Sequence, residues 1–375
     1  MKRFRIFAAS NTLKMENKWL SEAFKGEVPD FHGRVGWQCP SNIALVKYWG
    51  KKGKQIPQNP SISFTLSKCC TETFVEFEKA DRFGFKFFFE GKENLAFGAK
   101  IEKFLIDNQA FFPFINQLNL KVESRNTFPH SSGIASSASS MSAFVMCLME
   151  IERSLSLSKC RPIDMDIQKA SYFSRIASGS AARSVFPAMA LWGKTDAYEG
   201  SSDEYAVSLS DDIHPVFKTY HDSILIVSGE TKSVSSRAGH ALMEGNPYAS
   251  ARYAQANENI KNLLAALRSG DLDTFINITE SEALQLHALM MCSNPSFILM
   301  KPNTLQLINQ IRLFREETHI PLCFTLDAGP NVHLLYPDSE ADGVEEFVSN
   351  VLSFYCVDQQ WIDDQVGDGP KTLLP

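Results

Sequence analysis

The chain lacks what would mark a nucleic-acid binder, a zinc protein or a membrane span. Its 375 residues carry 37 lysines and arginines against 43 aspartates and glutamates, a formal net charge of −6. A nucleic-acid-binding surface usually comes with a basic surplus, so no nucleic-acid partner is expected. Any anionic ligand must be met by locally placed positive charge. The eight cysteines are scattered: Cys39, Cys69, Cys70, Cys147, Cys160, Cys292, Cys323 and Cys356. They form no CxxC pair and no cysteine–histidine ladder, which argues against a zinc site. Several lie in apolar runs, where a thiol acts as a small hydrophobe, and a reducing cytoplasm is the expected compartment. The segment "MKRFRIFAASNTLKMENKW" starts basic, but its apolar run is too short and too polar for a signal peptide. No window reaches the length of a membrane span, so no membrane association is expected. What is present is 44% hydrophobic and 21% charged residues, a globular composition long enough for two domains with cores.

Patterning divides the chain. Residues 1–33 read as a polar N-terminal extension with helical spacing around Trp19, Leu20 and Phe24. "SISFTLSKCCTETFVEFE" (61–78) alternates as a strand or a pair of strands, and "RFGFKFFFEGKEN" reads as a hairpin with "EGKEN" as its turn. Residues 95–117 have apolar positions at helical spacing, and "LNLKVESRNTF" reads as another strand. "MSAFVMCLMEIERSL" is apolar at 141, 144, 145, 148 and 151, the spacing of a helix. Helical patterns recur over 164–177, 248–268, 271–291 and 302–317, and "PLCFTLDAGPNVHLLYP" reads as strand, turn, strand. The polar tail "VDQQWIDDQVGDGPKTLLP" is expected to end loosely. Strands and helices mix without strict alternation, so the class expected is α+β. The domains expected are 34–212 and 213–375.

The stretch "FPHSSGIASSASSMSAF" (128–144) holds seven serines, three alanines and one glycine. Strand-like residues precede it and an amphipathic helix follows, so it lies at a strand-to-helix junction rather than in a linker. Helix N-termini carry orphan N–H groups and the positive end of the dipole, which favour an anion. Gly133, Ala135 and Ala138 would let a phosphate reach the main chain, and Ser137 offers an oxygen to a magnesium ion. The plain alternative is a serine cap with packing alanines.

This stretch resembles the ATP loop of the GHMP small-molecule kinases. "NIALVKYWGKK" (42–52), "SGSAARS" (178–184), "KSVSSRAGH" (232–240) and "TLDAGPN" (325–331) are similar to the signatures of one branch, the diphosphomevalonate decarboxylases. The resemblance implies a GHMP kinase fold: an N-terminal ribosomal-protein-S5-domain-2-like domain and a C-terminal ferredoxin-like sandwich, with the site in the cleft between them. It implies ATP and Mg2+ as cofactors and mevalonate 5-diphosphate as substrate. The 3-hydroxyl is phosphorylated, and the phosphate then leaves with CO2, yielding isopentenyl diphosphate.

That chemistry needs a hydroxyl activated, a carboxylate held and a diphosphate neutralised. Asp327, before a Gly-Pro turn, would take the hydroxyl proton, although Asp, Gly, Pro and Asn are also ordinary turn residues. Arg183 would hold the substrate carboxylate through two parallel hydrogen bonds; its alternative is a salt bridge. Ser178 and Ser180 would bond substrate oxygens or cap a helix. Lys47 would sit near the reacting centre, with Tyr48, Lys51, Ser236 and Arg237 on the diphosphate. Asn42 would bond the substrate hydroxyl or shape the turn after Pro40. Ser131, Ser132, Gly133, Ile134, Ala135, Ser136 and Ser137 would form the ATP loop, with Lys232 closing over the phosphates. His333 is expected to be structural. Departures from the family pattern are His130, Ala182, Val332-His333 and the longer N-terminal segment. The competing readings are a phosphomevalonate decarboxylase, a kinase on the same scaffold, and a non-catalytic small-molecule-binding protein. The family is often dimeric, and no segment marks a dimer face.

Overall fold

A computed structural model describes all residues except 1, 31, 130–133, 161–162, 231–235 and 375; of 2–11 and 236–237 it describes the backbone alone. In chain order the elements are α1 (Lys2–Glu22), β1 (His32–Ala44), β2 (Lys51–Lys52), β3 (Ile56–Pro57), β4 (Ser61–Lys79), β5 (Gly84–Phe89), β6 (Lys92–Glu93), α2 (Leu95–Asp107), β7 (Leu118–Asn126), α3 (Ser136–Ser158), α4 (Ile167–Ala177), β8 (Met189–Trp192), β9 (Ala206–Ser208), β10 (His221–Leu225), α5 (Ser236–Ala241), α6 (Ala249–Ser269), α7 (Leu272–Met291), α8 (Pro302–Thr318), β11 (Cys323–Thr325), β12 (Val332–Tyr336), α9 (Ala341–Asn350), β13 (Trp361–Gln365) and β14 (Lys371–Thr372).

Two main sheets organise them. The first runs β14-β1-β4-β7-β5-β6, with β8 on β4 and β9 on β8; the second runs β11-β12-β10-β13. Between Thr71 and Phe77, β4 alternates buried and half-buried residues, as a strand with one covered face should. Over Ser61–Leu66 it is buried throughout, because this end is covered from both sides. One apolar cluster there joins Ile43, Leu45, Ile62 and Phe64 to Ile224, Leu263, Leu264 and Phe275, side chains from both halves of the chain. That shared core sets the two halves against each other.

Three sequence expectations need correction. The segment 1–33 is not a mere extension. Trp19 is 1% exposed and Val28 0%, both in the first core. The Trp19 ring lies 5.0 Å from Tyr172, and its Nε1 donates to Asp166 Oδ2 at 3.0 Å. Trp19→Phe is therefore expected to lower unfolding free energy by about 1–2 kcal/mol, measured by urea titration; an unchanged midpoint would mean that the helix is not part of the core. The tail is not loose either. β13 pairs with β10 and β14 pairs with β1. The buried Asp364 accepts the backbone N–H groups of Ser67, Lys68 and Cys69 at 2.9, 2.8 and 2.7 Å, which anchors this segment to the first sheet. Finally, the hairpin turn is tighter than expected. Glu90 and Gly91, both at positive φ, form a two-residue turn, the geometry that suits twisted strands.

Candidate active site

The segment after β1 runs through the shared core, so Lys47 enters a buried position. Its Nζ lies 3.2 Å from Asp327 Oδ1; the lysine side chain is 2% exposed and the aspartate 24%. Burial pulls the Lys47 pKa down, and the Asp327 charge opposes that pull. Asp327 stands in the turn between β11 and β12. Its carbonyl accepts from Gly329 N–H at 2.7 Å and lies 3.1 Å from His287 Nε2. Asn331 closes the turn: its Oδ1 accepts from Val227 and Ser228 N–H at 2.8 and 3.0 Å. The turn chemistry and the site are thus the same residues.

Arg183 is 2% exposed. It donates through Nη1 to Ser61 Oγ, and its Nε has no partner among the described residues. Burial brings its pKa down to about 10, with the Asp327 charge acting the other way; it stays cationic at neutral pH. Asn42 Nδ2 donates to Ser184 Oγ at 2.8 Å and to Ser180 O at 3.2 Å, while its Oδ1 is buried without a partner. The Tyr48 hydroxyl is likewise buried and unpartnered, and burial pushes its pKa up. Gly179 makes room for it, since a Cβ there would meet the hydroxyl at 2.8 Å. Three orphan polar atoms, on Asn42, Tyr48 and Arg183, are unusual in a folded core and suit a polar ligand.

Tyr48 is held between Trp192 and His240, with ring centroids 4.7 and 4.5 Å away. His240 Nδ1 accepts from Gly50 N–H at 2.9 Å. Burial first, and the Lys51 charge second, bring its pKa down to about 3, so it is neutral at neutral pH. His240 thereby docks α5, which begins with Ser236 and Arg237, against the Tyr48–Lys51 segment. The side chains of Ser236 and Arg237 lie outside the described residues, as do Ser131, Ser132, Gly133 and Lys232 entirely. Lys51 Nζ donates to Gln55 Oε1 at 3.0 Å.

At the start of α3, Ala135 adopts φ 42° and ψ 38°, and no side chain caps the helix. The Ile134 side chain belongs to the shared core, and its carbonyl accepts from Ser41 Oγ, so it is a wall more than a ligand contact. Ser136 is half-buried and Ser137 exposed. Ser178 Oγ donates to Ser137 Oγ at 3.4 Å, which brings the serine loop to the "SGSAARS" segment. Magnesium favours hard oxygen ligands; the exposed Ser137 hydroxyl fits that demand.

Sequence reasoning missed Glu282. Fully buried, its Oε2 accepts Lys47 N–H at 2.8 Å and the Arg252 guanidinium, and its Oε1 accepts Asn259 Nδ2 at 2.6 Å. The signal was available. Glu282 falls on the apolar stripe of α7 with Phe275, Ile278 and Leu286, and Arg252 on that of α6 with Ala256 and Ile260. Opposite charges on two neighbouring apolar stripes point to a buried pair. Ser61 and Ser184, which hold Arg183 and Asn42, had no such signal.

The chain is similar to known proteins over most of its length. Residues 39–206 match the diphosphomevalonate decarboxylase-like N-terminal domain and residues 223–372 the mevalonate 5-diphosphate decarboxylase C-terminal domain. Among curated relatives, a diphosphomevalonate decarboxylase of Ganoderma lucidum is 30% identical, over 90% of this chain and 95% of its own. A phosphomevalonate decarboxylase of Haloferax volcanii is 26% identical, over 82% and 89%. A solved structure of MDDEF in complex with MVAPP, AMPPCP and magnesium superposes with a TM-score of 0.76 at 26% identity, covering 92% of this chain and 100% of that one. The chain has the GHMP kinase fold and belongs to the diphosphomevalonate decarboxylase family.

Proposed function

We propose that the chain decarboxylates mevalonate 5-diphosphate in an ATP- and Mg2+-dependent reaction, releasing isopentenyl diphosphate, ADP, phosphate and CO2. The observation that carries the reading is the buried Lys47–Asp327 pair with Arg183 beside it. Asp327 takes the proton of the tertiary hydroxyl as that oxygen accepts the phosphoryl group. Lys47, 3.2 Å from the Asp327 carboxylate, orients it and offsets negative charge on the transferring group. Arg183 holds the substrate carboxylate, using the Nε–H that has no partner among the described residues. When the C–CO2 bond breaks, its electron pair forms the new double bond and the 3-phosphate departs with the C–O pair. Asn42 Oδ1 orients the hydroxyl. Tyr48, Lys51, Ser236 and Arg237 hold the diphosphate, Ser178 and Ser180 bond substrate oxygens, and Ser131, Ser132, Gly133, Ala135, Ser136 and Ser137 with Lys232 hold the nucleotide, Ile134 serving as a wall. ATP would supply the phosphoryl group, and Ser137 would offer an oxygen to the magnesium that accompanies it.

The same chemistry on mevalonate 5-phosphate is the second reading, favoured by the Haloferax volcanii relative. Purified protein with Mg-ATP and, separately, mevalonate, its 5-phosphate and its 5-diphosphate separates them. ADP and CO2 in equal amounts from the diphosphate alone support the first reading. The same pair from the monophosphate supports the second. ADP without CO2 indicates a kinase, and neither product a binding protein. Tyr48→Phe is expected to raise KM for the diphosphate roughly tenfold with kcat little changed. It should not lower thermal stability, because the deleted hydroxyl has no partner among the described residues; an unchanged KM would remove Tyr48 from the diphosphate site. A cytoplasmic homodimer completes the proposal. The eight free cysteines support the compartment, and sedimentation measures the assembly. Among the described residues no helix is long and apolar enough to cross a membrane.

A further inference from the structure

One group of ligating side chains among the described residues stands apart from the cleft. One ligand atom each of His221, Glu345 and Asp363 lies within 4.8 Å of the other two. His221 opens β10 opposite Tyr336 and Gln365. The far end of that strand, Leu225, pairs with Val332, close to the Asp327 turn. Asp363 pairs with Ser223, two residues along β10 from His221, so His221, Ser223 and Asp363 share one face of the sheet. Helix α9 covers this face through Val344, Phe347 and Val348 and carries the exposed Glu345.

His221 is 9% exposed, and its ring stacks on Tyr336 at 5.0 Å. Nε2 lies 2.8 Å from Asp338 Oδ1, while Nδ1 is buried with no partner among the described residues. Asp363 Oδ1 is also buried with no partner; its Oδ2 accepts from Lys68 at 2.6 Å. In the tautomer that donates from Nε2 to Asp338, Nδ1 carries a lone pair. A carboxylate behind the imidazole in this way fixes tautomer and ring orientation in metal-bound histidines. Two buried atoms with lone pairs and no donor, beside a third carboxylate, describe a cation's ligands better than a packed core. One nitrogen and two oxygens suit a borderline divalent ion such as zinc, cobalt or manganese; magnesium and calcium favour oxygen alone.

We infer that His221, Glu345 and Asp363 form a binding site for a divalent transition-metal ion, separate from the magnesium that accompanies ATP. The ion would tie α9 to the edge of the second sheet. The test is titration of the full chain with Co2+ and Zn2+, without nucleotide, by calorimetry and visible absorption, for wild type, Glu345→Gln and His221→Ala. Expected are one ion per chain, cobalt d–d bands without thiolate charge transfer, and at least tenfold weaker binding in both variants. Decarboxylation by Glu345→Gln should match wild type, since Glu345 lies on the surface. Absence of binding would overturn the inference. So would equal affinity in wild type and Glu345→Gln, a variant that disturbs no core packing. A thiolate band would move the ion to Cys160 or Cys292, the exposed cysteines, and would also overturn it.

Discussion

Asp327→Asn is expected to retain ATP binding and lose turnover by about 10³–10⁴-fold, about 4–5.5 kcal/mol of transition-state stabilisation. The amide keeps the shape of the carboxylate but cannot take the hydroxyl proton. It also removes the charge that opposes desolvation of Lys47, so that lysine loses its proton at lower pH than in wild type. One substitution therefore disables the base and weakens the neighbouring cation. The turn should survive, because the backbone bond from Gly329 to the residue 327 carbonyl is untouched. Nucleotide affinity by fluorescence and single-turnover ADP release separate the two effects. Turnover near the wild-type rate would remove Asp327 from the chemistry.

The second large effect is expected at Glu282, and it reads out in stability as well as rate. Glu282→Gln keeps the volume and removes the charge, leaving Arg252, 6% exposed, without its anion. Breaking one side of a buried pair destabilises by about 3–5 kcal/mol. Replacing both partners with neutral groups is far milder, so Glu282→Gln with Arg252→Met should recover much of the loss in chemical denaturation. Activity should not recover to the same extent, because the carboxylate accepts both Lys47 N–H at 2.8 Å and Asn259 Nδ2 at 2.6 Å, and an amide has one acceptor oxygen where the carboxylate has two. A double variant that regains full kcat would mean that Glu282 only balances Arg252 and does not position Lys47.

Local pattern and family signature together made much of this legible. The helical spacing over 248–268, 271–291 and 302–317 became α6, α7 and α8 to within a residue or two at each end, since each has a continuous apolar stripe. The strand-turn-strand around Asp327 was visible for the same reason. Lys47, Arg183, Asn42, Tyr48 and Asp327 do converge, and no periodicity could have said so; only the resemblance linked residues 280 positions apart, such as Lys47 and Asp327. What stayed hidden depends on distant partners. Trp19 looks like a lone aromatic until Tyr172 and Phe173 pack on it. β14 is two residues in a polar stretch whose strand character comes from β1. α9 is short, and its apolar face is covered by residues from several other elements.

The pairing of β14 with β1 has a consequence for synthesis. Between β9 and β14 the chain departs to build the whole second sheet and its helices before returning to the first. The second half is thus topologically inserted into the first. On the ribosome, β1 emerges early and waits with one edge unpaired until the last strand is made, tens of seconds later at about 5–20 residues per second. An unpaired edge invites pairing with other chains, so nascent chains of this protein are candidates for chaperone protection throughout translation.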